Sequence, residues 1–203
     1  MDLWSKKVLI KSSPYTIGEV LFESAIAGTY SVDLAANGNY EVYVIGGGAG
    51  GATTLNQNSS LIELTGGGSG SGFVGVVKLL QGTHIINIGE GGKAMQGYRS
   101  TNYAGGNSSI SDNVITYGGK SVATGTVGKG GDLPTVNVTI VSTTLNVTGN
   151  NGENDVTFED YTEYTTIHGG ESVYGGYGAG GNTGSGSPQD GIDGYVKIIY
   201  VGG

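Results

Sequence analysis

Glycine in this chain comes in clusters, and each cluster abuts a run of strand-forming residues. Of 203 residues 42 are glycine, against an ordinary share of ~7%. They concentrate in Gly46–Gly51, Gly66–Gly75, Gly89–Gly92, Gly105–Gly106, Gly118–Gly131 and Gly169–Gly186. A flexible linker would spread its glycine evenly, and collagen would need strict triplets with abundant proline; this chain has 3 prolines and no such period. Two physical roles stay open for the clusters. They are long glycine loops, or they are polyproline-II-type helices, which have three residues per turn and no internal hydrogen bonds. Bare of side chains, such helices can lie close together and exchange backbone hydrogen bonds.

The residues between the clusters favour strands. Short apolar or alternating runs recur at Lys7–Lys11, Ile17–Phe22, Thr29–Leu34, Tyr40–Ile45, Leu61–Leu64, Phe73–Leu80, His84–Ile88, Asn113–Tyr117, Val136–Val147, Val156–Ile167 and Tyr195–Val201. They are rich in β-branched residues, which are stiff at χ1 and suit a pleated surface. Asn37-Gly38 and Asp193-Gly194 are turn signals. No glycine-free window of a dozen residues has apolar positions at helical spacing. Val, Ile, Leu and Phe make up roughly a quarter of the chain, above the ~20% that marks disorder. The expectation is one folded all-β domain over residues 1–203: a β-sandwich with glycine-rich polyproline-II-type helices or long glycine loops.

Composition also excludes functions. There is no cysteine, hence no disulfide scaffold, zinc ribbon or thiol nucleophile. A formal net charge of −8 makes a poor partner for nucleic-acid phosphates. No apolar run approaches the ~20 residues of a membrane-spanning helix.

The order of segments resembles the glycine-rich domains of phage tail fibres and related virion adhesins, themselves distantly like the glycine-rich domain of the anaplastic lymphoma kinase ectodomain. The resemblance rests on four blocks in sequence: GTYSVDLAANGNYEVYVIGGGAGG (Gly28–Gly51), GGGSGSGFVGVVKLLQGTHIINIGEGG (Gly66–Gly92), GGNSSISDNVITYGGKS (Gly105–Ser121) and GIDGYVKIIY (Gly191–Tyr200). Residues 1–19 precede the pattern as an N-terminal extension. Residues 132–168 form a strand-rich insertion where the family continues in glycine runs. The resemblance implies a β-sandwich carrying a bundle of polyproline-II helices, in a virion protein assembled with other virion proteins and itself oligomeric or carried on an oligomer.

Candidate chemistry is sparse. Gly46-x-Gly48-x-x-Gly51 follows a strand and matches the dinucleotide fingerprint, with Glu63 placed for a ribose hydroxyl. The helix that must follow is absent from the pattern, so the glycines read as turn-formers and no cofactor is expected. Neither histidine suggests catalysis: His84 reads as a strand-edge residue and His168 as a loop residue. Carboxylates gather once, over Glu153–Glu163; Glu159 and Asp160 are a weak calcium candidate beside the reading of plain surface charge. Four Asn-x-Ser/Thr sequons, at Asn58, Asn107, Asn137 and Asn146, read as coincidences of composition, because MDLWSKKVLIK has no signal-peptide core. Tyr161, Tyr164, Tyr174 and Tyr177 flank small-residue stretches, the composition of adaptable recognition loops. They are candidates for contact with a host surface glycan or protein, with sheet packing as the competing role. The expectation is a non-enzymatic virion protein without metal or membrane insertion: a fibre-associated or tip domain that contacts the host, or alternatively a purely structural component such as a head-fibre, decoration or baseplate-type protein.

Overall fold

The computed structural model describes residues 14–55, 61–97, 103–120, 126–158, 166–183 and 188–203, and among them it is all-β. A first sheet is ordered β1 (Val20–Ser24), β14 (Tyr195–Gly202), β3 (Gly38–Ile45), β6 (Gly72–Leu79), β12 (Ile140–Val147). A second is ordered β11 (Thr135–Val136), β10 (Val114–Thr116), β9 (Ser108–Ile110), β7 (Gly82–Ile88), β2 (Gly28–Leu34). Every pairing in these two sheets is antiparallel.

Alternation explains how they pack. In β3, Tyr40, Val42 and Val44 are fully buried, while Glu41 and Tyr43 between them face outward. In β7, His84, Ile86 and Ile88 are buried between the outward Ile85 and Asn87. A period of two puts one set on each face of a strand. The buried sets, with Leu34, Phe73, Val77, Leu79, Ile110, Val114, Val196, Ile198 and Tyr200, form one core between the sheets. Tyr15 packs its ring on Tyr200 at 5.3 Å, and the Gly18 N–H donates to the Tyr200 carbonyl. Residues 14–19 of the N-terminal extension are thereby tied to the sandwich.

The glycine clusters are ordered rods between this sandwich and a third sheet, ordered β13 (Asn154–Phe158), β5 (Leu61–Thr65), β4 (Ala52–Leu55), β8 (Met95–Gly97), in which β4 and β8 run parallel. Residues 46–51 carry the chain out from β3 to β4, and 66–71 bring it back from β5 to β6. The hydrogen bonds of 46–51 repeat every three residues. Gly46 and Ala49 donate to Ser71 and Gly68, Gly47 and Gly50 to Gly106 and Tyr103, and Gly48 and Gly51 to Ile192 and Gln189. Its carbonyls accept from Gly119, Gly92 and Gly181, on three further segments. Three directions for donors and a three-residue repeat are the geometry of a polyproline-II-type helix, here surrounded by six others.

The return rod is surrounded in the same way. Residues 66–71 donate to 150–153, to 178–181 and to Tyr117, and accept from Ala49 or Gly46, from Gly131 and from Gly170. The two central rods touch each other and share the 117–120 and 178–183 segments as neighbours. Among the described residues this is a hexagonal array, with two rods inside and the segments at 89–94, 103–107, 117–120, 128–133, 149–153, 167–170, 178–183 and 189–194 around them. A buried backbone amide without a partner is costly, and the array gives these amides partners without a hydrophobic core. Long side chains stand on the outer rods: Glu90 and Lys93, three residues apart, form an exposed ion pair at 3.2 Å.

Residues 132–158 are woven into this plan. They supply one edge strand to each sheet, β11, β12 and β13, and the 149–153 rod that braces 66–71. The continuous run Val136–Val147 breaks at residues 137–139 because its two halves belong to different sheets.

Candidate functional site

The described tyrosine candidates lie on the outer face of the first sheet. Between the 167–170 and 178–183 rods the chain turns back through Tyr174-Gly175-Gly176-Tyr177. The Tyr177 N–H donates to the Tyr174 carbonyl at 3.1 Å, and Gly175 and Gly176 have φ of 58° and 88°. Both central residues occupy the left-handed region, the signature of a type I′ turn, which is why glycine stands at both. Ser172 Oγ braces the turn, lying 2.8 Å and 2.6 Å from the carbonyl oxygens of Tyr174 and Tyr177.

This turn lays its rings on two tyrosines of the sheet. Tyr177 stacks on Tyr195 of β14 with centroids 4.3 Å apart and planes 6° from parallel. Tyr174 lies 5.4 Å from Tyr43 of β3 and 6.4 Å from Tyr195. Beneath them the hydroxyls are tied down: Tyr195 donates to Glu23 Oε1 at 2.7 Å, Tyr43 donates to Glu41 Oε1 at 3.1 Å, and Lys197 pairs with Glu23 Oε2 at 3.1 Å. Offset aromatic pairs of this kind contribute about 1 kcal/mol beyond the area they bury. Tyr177 and Tyr195 therefore do structural work, and Tyr174, 37% exposed, presents the ring a second molecule can meet.

Tyr43 and Tyr195 escaped the sequence reading, although the alternation of β3 opposite Tyr40 is enough to place Tyr43 outward. Tyr161, Tyr164, Glu159 and Asp160 lie outside the described residues. Among the described residues no three His, Asp or Glu side chains gather as a cation site.

The remaining sequence candidates take structural places. Gly46, Gly48 and Gly51 sit on a central rod, and their N–H groups donate to Ser71, Ile192 and Gln189; those donors are not available to a pyrophosphate. His84 differs from its reading as a strand-edge residue. β7 is an interior strand, and His84 is 7% exposed on its core-facing side. Its Nε2 lies 2.9 Å from the Leu80 carbonyl and its Nδ1 3.3 Å from Asn113 Nδ2, so the ring donates from Nε2 and accepts at Nδ1. His168 is exposed and its backbone bonds to Glu153 at the start of an outer rod.

The tyrosines give the protein an alkaline limit. Burial, aided by the Glu41 hydrogen bond, pushes the Tyr43 phenol up from 10.0 to about 12. Burial and the neighbouring Tyr15 and Tyr200 do the same to Tyr40. Burial and then Glu23 also raise Tyr195. A folded-state pKa above the unfolded one means that the folded form holds its proton more tightly, so this stability is fully present below pH 10 and is lost as pH rises towards 12. Melting temperature should stay level up to about pH 10 and then fall, in step with tyrosinate absorbance, and Tyr43→Phe should flatten part of that fall. A fall unconnected with tyrosinate would contradict the assignment.

No family model and no curated protein matches this chain.

Proposed function

We propose that this chain is a non-enzymatic virion protein, a fibre-associated or tip domain that contacts the host surface. The observation that carries the reading is the division of labour between the two ends of the rod array. At one end stands the sandwich, with residues 14–19 and the end of β14 together. At the other, where 46–51 and 66–71 end, stands the third sheet of β13, β5, β4 and β8. An array held by its own backbone puts little demand on the side chains presented at that far end, which suits a display scaffold. The resemblance of the four sequence blocks to the glycine-rich domains of phage tail fibres and virion adhesins supports the same reading. Contacts of this kind are individually weak and gain strength when copies are presented together.

A second reading, a purely structural virion component that docks on neighbouring chains, draws on β12. It is an edge strand of the first sheet without charged residues, and its Ile140 and Val141 are exposed; unpaired strand edges are ready pairing surfaces.

Immunogold labelling of virus particles with an antibody to this chain tests both. Label at distal fibre ends, with binding of the multimerised chain to host cells, is the expected result. Label spread over the capsid or baseplate favours the second reading. No label on any particle overturns both.

A further inference from the structure

The outer face of the second sheet, on the opposite side of the sandwich from the tyrosines, holds a trough of about 500 Å³. Its origin is one small residue. Asn87 of β7, Ser109 of β9 and Ile115 of β10 form a single cross-strand row. Serine in the middle of that row leaves a depression between larger neighbours. The neighbouring Ile85 is 44% exposed along one wall. Asn107, just before β9, and Ser111 and Asp112, in the turn just after it, also line the trough. Ser111 is the one non-glycine residue with positive φ (46°) among the described residues. Its strain is held by two bonds to Ile85, from the Ser111 N–H to the Ile85 carbonyl and from the Ile85 N–H to Ser111 Oγ. The floor of the trough is thus built on paired strands, and the turn at one end is tied to them.

Its polar groups are oriented by the protein and only partly used. Asn87 accepts from Thr29 at its Oδ1 and donates one amide hydrogen to Ser109 Oγ at 3.1 Å, which leaves its second amide hydrogen. Asn107 accepts from the Gly118 N–H at its Oδ1, which fixes the amide and leaves its Nδ2 as a donor. The Ser109 hydroxyl, having accepted, has a hydrogen to give, and the Asp112 carboxylate, on an exposed residue, is the charged acceptor. Several donors with hydrogens left over, one carboxylate and two isoleucines make a set with a definite complement. The ligand must carry hydroxyls that both donate and accept, and a C–H face for the isoleucines. It must not be anionic, because no basic side chain lines the trough and the chain carries a formal charge of −8.

We propose that this trough is a binding site for a neutral saccharide. Its volume falls in the lower part of the ~300–1,000 Å³ range of small-ligand sites, room for a ring or two rather than a peptide strand. The pre-ordered walls keep the entropic cost of binding low. The inference is independent of the virion reading, since it concerns the isolated chain and a different face of the sandwich.

The test is a titration of the isotopically labelled chain with neutral hexoses, pentoses, deoxyhexoses and N-acetylhexosamines, followed by the side-chain amide signals of Asn87 and Asn107 and the methyl signals of Ile85 and Ile115. Saturable shifts confined to those groups are expected, weakened at least about tenfold by Asp112→Asn and abolished by Ser109→Leu, which fills the depression. Asp112 is exposed, so its variant keeps the test sound should Ser109→Leu fail to fold. The proposal is overturned if no sugar gives a saturable shift, if the shifts centre on the tyrosine face instead, or if they survive Asp112→Asn unchanged.

Discussion

Gly48→Ala is expected to lower the melting temperature by about 10 °C or to prevent folding altogether. Gly48 lies on the 46–51 rod, donates to the Ile192 carbonyl at 2.9 Å and accepts from the Gly92 N–H at 2.7 Å. A methyl group built on it would fall on the Ala179 carbonyl, far inside contact distance. An overpacked side chain in a core ordinarily costs about 1–3 kcal/mol because neighbours shift aside. Here the obstacle is backbone, and the rod has a neighbour on all six sides, so any shift breaks further lattice bonds at about 1 kcal/mol each. Gly176→Ala is the matched control. Its φ of +88° disfavours a side chain, but nothing lies within 4 Å of the new methyl, so the cost should stay near 1 kcal/mol. Calorimetry of the two variants separates space from backbone conformation, and equal losses would sink the close-packing account.

Phe73→Ala should cost about 3–5 kcal/mol, as for other fully buried aromatic residues. Phe73 is 0% exposed in the sandwich core, on β6 between Val44 of β3 and Asn146 of β12. The rods are the more informative place to read its effect. β3 runs directly into 46–51, and 66–71 runs directly into β6, so sandwich and array share their covalent backbone. Amide exchange at Gly48, Ala49 and Gly67 should therefore accelerate by two orders of magnitude or more, in parallel with the strand amides. Wild-type protection in the rods beside loss in the strands would mean that the two parts unfold separately.

Much of this architecture can be read from residues alone. The strands β2, β3, β6, β7 and β14 coincide closely with apolar or alternating runs, because one face of each lies on the core. β4, β8 and β9 were missed: ATTL, MQG and SSI are too short and too small to show a pattern, and neighbouring rods and strands hold them. The choice between rods and loops stayed open in the sequence for a geometrical reason. An outer rod needs a small residue only where it faces inward, so it can carry Glu90, Lys93 or Lys129. A central rod has neighbours all round, and every position of 46–51 and 66–71 is Gly, Ala or Ser. A three-residue period is invisible where all three positions require the same thing. The tyrosine face was legible in part, because Tyr174 and Tyr177 stand out by composition, whereas Tyr195 and Tyr43 become their partners only once β3 and β14 lie side by side. The trough was not legible, since it depends on Ser109 lying between Asn87 and Ile115, contributed by three different strands.

The rod array also has a mechanical direction. Its hydrogen bonds run across the rods, while a pull on the third sheet against the sandwich end acts along them. Such a load reaches the bonds in shear and is shared by many at once, whereas a sideways peel would open them one after another. A domain built this way withstands tension along its length and yields first to bending.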